Sequence, residues 1–292
     1  RNGRSKGCGP RAGVYARSAA PRVGNDSAKT TTRNTTMITM PVFTRPRIPK
    51  AASTSLLPRT ACLGYPRRLG IPRPEYPRPQ FVREHWLCLN GDWQFEIDAA
   101  DSGLERGLLD RPLADQITVP FCPESELSGI GNQDYLNAVW YRREVRVPDD
   151  WVCDLVLLHF QAVDYDATVW IDGSEAGRHR GGFTPFSIEL EARAGQVLDL
   201  VVRARDTHTA PQPRGKQAMA FRGQLAIYCR TTGIWQSVWM EPVPGTRLER
   251  PRITPDVGGG RFLLEQPIVR GRRGMTLSAR LTSDGAPVSE TR

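Results

Sequence analysis

The sequence predicts an all-β protein. From about residue 80 onward, short stretches alternate apolar and polar side chains, and turn pairs such as Asn90-Gly91 and Asp172-Gly173 separate them. No segment sustains a helical period, so an α/β barrel is not encoded in these residues. The expected arrangement is an antiparallel β-sandwich followed by a second, immunoglobulin-like β pattern that stops partway, all behind a basic leader without structure.

The leader is set apart by charge. The 292-residue chain carries 40 Lys+Arg and 31 Asp+Glu, a formal net charge of +9. Residues 1–74 hold 15 of the basic groups and one acid, Asp26, which leaves the remainder mildly acidic. A segment rich in Arg, Ser, Thr, Pro and Gly buries too little apolar surface to offset its ordering entropy, so residues 1–76 are expected to be disordered. Binding of nucleic acid would need aromatic or helical organisation that this stretch lacks. An acid-poor organellar transit peptide is compatible with the composition, and Met37 and Met40 are alternative starts. No apolar run approaches the roughly 18 residues of a membrane span, and none resembles a secretory signal core. The expectation is therefore a protein without membrane or nucleic-acid partners, with a cytoplasmic location favoured and the oligomeric state open.

The β elements follow in order. Trp86, Leu87 and Leu89, then Trp93, Phe95 and Ile97, flank Asn90-Gly91-Asp92, a signal for two strands or for a strand entry and a turn. Further strands are predicted at Ile117–Pro120, Val139–Pro148, Leu155–Phe160 and Ala167–Ile171. The series continues at Ser187–Leu190, Val197–Arg205, Leu225–Tyr228 and Trp235–Glu241. After the linker-like Pro242–Pro251 come Arg252–Pro255, Arg261–Leu264 and Met275–Thr282. An immunoglobulin-like sandwich needs about 100 residues and seven strands, so this second domain is expected to be truncated, with Leu263, Ile268, Leu277 and Leu281 left open.

Chemistry-bearing motifs are sparse. The cysteines (Cys8, Cys62, Cys88, Cys122, Cys153, Cys229) and histidines (His85, His159, His179, His208) are isolated, which argues against a metal centre and for reduced, buried thiols. Asp164, Asp166 and Asp172 do not have the spacing of a calcium loop. Asp206-Thr207-His208 lacks a serine on a glycine-flanked elbow. Gly129-Ile130-Gly131 and Gly258-Gly259-Gly260 lack the strand and helix context of a phosphate loop. No cofactor is implied.

Seven separated segments nevertheless stand in one recognisable order. They are Arg83 to Trp86, Leu89-Asn90-Gly91-Asp92-Trp93-Gln94-Phe95, Trp140-Tyr141-Arg142-Arg143, and Leu158-His159-Phe160-Gln161-Ala162-Val163-Asp164. Val169-Trp170-Ile171-Asp172-Gly173, Gly177 through Phe186, and Thr232-Gly233-Ile234-Trp235-Gln236-Ser237-Val238-Trp239 complete the set. Together they resemble the N-terminal sugar-binding domain of glycoside hydrolase family 2, the family of β-galactosidases, β-glucuronidases and β-mannosidases.

The resemblance implies a jelly-roll (galactose-binding-like) β-sandwich at residues 77–243 and the opening of the family's immunoglobulin-like domain at 244–292. Trp93, Phe95, Trp140, Tyr141, Phe160 and Trp170 would fill the space between the sheets. It also implies a retaining O-glycosidase whose acid/base and nucleophile glutamates lie on a (β/α)₈ barrel absent from these residues. No catalytic residue carries over, and the chain by itself is expected to be inactive. What the domain can lend is a rim for the sugar pocket, and Arg214, Lys216, Gln217, Arg230 and Thr231 are the expected contacts with a β-glycoside. Some family β-galactosidases place an acid just before the turn that here reads Arg230-Thr231-Thr232, where this chain has Ile227 and Tyr228. The alternative is a free-standing carbohydrate-binding module without catalysis.

Overall fold

The computed structural model describes residues 33–41 and 70–292, apart from residues 153, 154, 222, 224 and 292. Contacts divide the chain into two units, Leu63–Pro244 and a second made of Arg1–Cys62 with Gly245–Arg292.

The second unit is built on β1 (Arg33–Pro41), β14 (Arg247–Leu248), β15 (Arg252–Asp256), β16 (Arg261–Val269), β17 (Ala279–Ser283) and β18 (Ala286–Thr291). β1 pairs antiparallel with the whole of β16, from Arg33 opposite Val269 to Pro41 opposite Arg261. The expectation of a leader without structure thus fails at residues 33–41, and again at 70–76, where Pro72 O and the Tyr76 hydroxyl are hydrogen-bonded to Asn90 and Glu241. An Arg-rich composition does not prevent Met37 to Pro41 from joining a strand whose other edge is already held by β14 and β15. The rest of the leader up to residue 69 lies outside the described residues. Leu264 and Ala279 are buried, with Leu277 and Leu281 packed against them, so the apolar faces expected to stay open are partly covered.

The larger unit is a β-sandwich. One sheet contains β3 (Gly91–Ile97), β4 (Asp115–Val119), β5 (Ala138–Arg146), β8 (Asp166–Ile171), β9 (Ser174–Arg180) and β11 (Val197–Arg205), in the order β4-β3-β5-β11-β8-β9. The other contains β2 (Leu87–Cys88), β6 (Leu155–Phe160), β10 (Phe186–Glu191) and β13 (Val238–Val243), in the order β10-β6-β13-β2. A small ladder joins β7 (Val163–Asp164) to β12 (Gly233–Ile234). Every pairing within these sheets is antiparallel.

Alternation decides what enters the core. On β5, Val139, Tyr141 and Val145 face inward and meet Trp93, Phe95, Phe160, Val169, Leu200 and Val202. Trp140 points the other way, as does Trp170 on β8. Both stack at 5.4 Å on the outer face of the six-stranded sheet, covered by Leu108 and Leu113. The expectation that all six aromatics fill the inter-sheet space therefore holds for four and fails for Trp140 and Trp170. A strand's period of two puts adjacent Trp140 and Tyr141 on opposite faces. Asp98 anchors the covering loop, accepting from Trp140 Nε1 at 3.1 Å and from the backbone N–H groups of Ser102 and Gly103.

Asp172-Gly173 makes the tight hairpin between β8 and β9, with φ of 50° and 76°. Asn90-Gly91 does not close a hairpin, because β2 and β3 belong to different sheets. Buried Asn90 instead ties the crossing together, its Oδ1 accepting from Val238 N and its Nδ2 donating to Ser237 Oγ and Pro72 O. Leu225–Tyr228 is not a strand either; Tyr228 makes only an isolated bridge with Gln217. Cys88, Cys122 and Cys229 are free thiols, half-buried rather than buried.

Candidate functional site

At one end of the sandwich the β7–β12 ladder brings buried polar side chains together. Asp164 closes β7 opposite Gly233 and is 2% exposed. Its Oδ2 accepts from Gln217 Nε2 at 2.7 Å, and Gln217 Oε1 accepts from Thr231 N at 2.9 Å. The next residue, Thr232, donates its N–H to Glu124 Oε2 at 3.2 Å and its hydroxyl to Asp206 Oδ2 at 3.3 Å. Asp206 is held in turn by Gln212 at 2.6 Å and by Arg214 Nη1 at 3.0 Å.

Rings and glycines frame this chain of contacts. A Cβ on Gly182 would collide with the Asp164 carboxyl, and Gly182 O accepts from Trp235 Nε1 at 2.8 Å. Phe183 meets Trp235 edge to face at 6.0 Å. Gly215 sits between Phe183 and the Tyr228 hydroxyl, where a side chain would touch both at about 3.3–3.4 Å. Phe183 and Tyr228 are 45% and 49% exposed, so two half-exposed rings stand near a buried polar floor. Ile227 is exposed to the same degree as Tyr228.

The electrostatics are dominated by burial. Desolvation raises the Asp164 carboxyl from 3.8 to about 7; the Gln217 hydrogen bond opposes this, and Asp206 and Glu124 nearby add to it. Burial likewise pushes Glu124 up and takes the Cys122 thiol beside it to about 12. Asp164 can therefore act near neutrality as either a donor or an acceptor, and the floor as a whole offers carboxyl, amide and hydroxyl groups. Among the described residues no group of three or more His, Cys, Asp and Glu side chains is placed to hold a metal ion.

The residues expected from the sequence are distributed unevenly. Gln217 and Thr231 lie in the Asp164 chain of contacts. Arg214 closes the Asp206 end and also donates to the carbonyls of Thr207 and Ala210, which leaves its guanidinium committed within the protein. Arg230 is buried against Tyr135, with its guanidinium 4.3 Å from the ring centre, and donates to Ala220 O and Gln133 O. Lys216 is exposed.

Asp164, Phe183 and Trp235 were not among the expected contacts. A signal for Asp164 is present: a carboxylate directly after Ala162-Val163, at the end of a largely apolar strand run, has to be buried and partnered.

Residues 87–205 match the family described as "Glycosyl hydrolases family 2, sugar binding domain". A β-glucuronidase of Paenibacillus borealis is 30% identical over 200 residues, which is 63% of this chain and 33% of that protein. A β-glucuronidase of Felis catus is 32% identical over 126 residues, 39% of this chain and 19% of the relative. The chain thus spans about a third or less of the length of these relatives. Among solved structures, β-glucuronidase of Ruminococcus gnavus superposes with a TM-score of 0.56 at 22% identity, over 75% of this chain and 39% of that one, a likeness of fold.

Proposed function

We propose, from the match of residues 87–205 to the sugar binding domain of glycosyl hydrolases family 2, that the protein serves as the N-terminal part of a retaining β-glycoside hydrolase. Its sandwich would form one wall of the sugar pocket. The observation that carries this reading is the line of contacts Asp164–Gln217–Thr231 beside Phe183 and Tyr228. Carboxyl and amide groups satisfy sugar hydroxyls, and exposed rings cover the apolar faces of a pyranose.

Hydrolysis with retention needs two carboxyl groups about 5–5.5 Å apart across the scissile bond, mounted in this family on a (β/α)₈ barrel. The only helix among the described residues is a single 3-10 turn at Glu126–Ser128. In this proposal the described residues serve binding, and the catalytic pair belongs to the barrel of the parent hydrolase. Gln217 and Thr231 are kept as sugar contacts, with Asp164 added and Lys216 at the outer margin. Arg214 and Arg230 act by holding the loops. β-Glucuronides head the substrate list, because both relatives carry that name.

The test pairs catalysis with binding. The purified chain should not release nitrophenol from nitrophenyl β-glucuronide, β-galactoside or β-mannoside, yet methyl β-glucuronide should shift the Trp235 indole N–H resonance saturably. Gln217→Ala should abolish that shift. Turnover by the chain alone would overturn the assignment of catalysis; a saturable shift that survives Gln217→Ala would overturn the assignment of the site.

A further inference from the structure

We propose that Ser187, His159 and Glu241 form a proton relay that makes Ser187 a nucleophile toward activated carboxylic and phosphonic esters. The three residues lie on the outer face of the four-stranded sheet, and register places them there. Ser187 on β10 is directly opposite His159 on β6, and His159 is opposite Trp239 on β13, two residues before Glu241.

His159 Nδ1 lies 2.5 Å from Ser187 Oγ, and His159 Nε2 lies 2.9 Å from Glu241 Oε1. Trp239 stacks on the imidazole at 4.6 Å and fixes its plane. Arg78 and Arg83 face Glu241 Oε1 at 2.8 and 3.2 Å, and Tyr76 donates to Oε2 at 3.2 Å.

These contacts set the tautomer. Burial pushes Glu241 up, but the His159 hydrogen bond and the two guanidinium groups hold it below the usual carboxylate range, so it is an acceptor only. Nε2 must then carry the imidazole proton, which leaves the Nδ1 lone pair to accept from the Ser187 hydroxyl. Burial, reinforced by the Arg78 and Arg83 charges and opposed by Glu241, lowers His159, keeping the ring neutral and available as a base. Ser187 itself is exposed, so a reagent can reach its oxygen. A buried histidine between a buried carboxylate and an accessible serine is the arrangement that activates a hydroxyl.

The step balances with water as the only co-reactant. Ser187 Oγ attacks the ester carbonyl carbon while its proton passes to His159 Nδ1. The C–O bond to the leaving group breaks, and the leaving oxygen takes its electron pair and that proton; on a fluorophosphonate, Oγ attacks phosphorus, the P–F bond breaks, and fluoride leaves with its electron pair and the proton as hydrogen fluoride. Water then hydrolyses the acyl-serine, returning a proton to Oγ, for a net conversion of ester and water into acid and alcohol.

The test uses an alkyl fluorophosphonate and, separately, nitrophenyl acetate on the full chain, with the modified residue located by peptide mass mapping. Modification is expected on Ser187 and should vanish in Ser187→Ala, an exposed change. It should slow by roughly 100-fold or more in His159→Gln, the usual loss of general-base assistance. If His159→Gln does not fold, the pH profile of the unaltered chain decides the same point, since labelling must fall as the imidazole protonates. No modification, modification that persists in Ser187→Ala, or a rate independent of both His159 and pH would overturn the relay.

Discussion

Replacing Asp164 by Asn should stabilise the sandwich, and the gain should depend on pH in a defined direction. The Asp164 carboxyl titrates near 3.8 when solvated and at about 7 in the folded chain, raised chiefly by burial. A folded-state pKa above the unfolded one means that stability is fullest below the unfolded value. It is lost as pH rises, because the unfolded chain ionises while the folded chain must keep its proton or bury a charge. At about 1.4 kcal/mol per unit, the full span corresponds to about 4 kcal/mol, of which about 3 kcal/mol develops between about pH 4.5 and about pH 8. Asn keeps the shape and can still accept from Gln217 Nε2, but never ionises. Urea unfolding followed by tryptophan fluorescence at those two pH values should show Asp164→Asn clearly more stable than the unaltered chain near pH 8 and close to it near pH 4.5. A difference that is constant with pH, or a loss at the higher pH, would refute burial as the cause of the raised pKa.

Three other outcomes follow from the packing. Gly103→Ala places a methyl group against Trp140 and the Asp98 carboxyl and should cost about 1–3 kcal/mol in thermal unfolding, with altered near-ultraviolet dichroism from the Trp140–Trp170 stack. Glu241→Gln leaves Arg78, Arg83 and His159 facing an uncharged amide and should cost about 3–5 kcal/mol by urea unfolding, the range for breaking a buried ion pair from one side. Deleting residues 33–41 unpairs one edge of β16, so amide hydrogen exchange should accelerate at alternate positions of Arg261–Val269.

What the sequence made legible follows the strength of local signals. Leu155–Phe160 and Val197–Arg205 were predicted with the bounds observed, because dense β-branched and apolar runs leave little choice. β9, Ser174–Arg180, carries too weak an apolar signal to predict, since only Ala176 packs on the core and polar side chains occupy both faces. β1 was missed because its partner lies more than 200 residues away, and no local pattern encodes that pairing. Asn90-Gly91 mimics a hairpin, but the amide of Asn90 is used across the chain on Ser237 and Val238.

At the candidate site, residue type singles out Gln217 and Thr231, which the structure joins to Asp164 through hydrogen bonds. It could not show that the Arg214 and Arg230 side chains turn inward to satisfy carbonyls and a carboxylate. The place of Asp164 directly after Val163 in the sequence marks a carboxylate that needs a partner, but only the fold shows that the partner is Gln217, which links it to Thr231.

The proposed function places sugar at the Asp164–Gln217–Thr231 line beside Phe183 and Tyr228. Its most direct test is a crystal structure of the chain grown with methyl β-glucuronide. The account predicts a pyranose with a hydroxyl within hydrogen-bond distance of the Asp164 or Gln217 side chain and a ring face against Phe183 or Tyr228. A sugar seated elsewhere on the sandwich, with this line of side chains untouched, would contradict it.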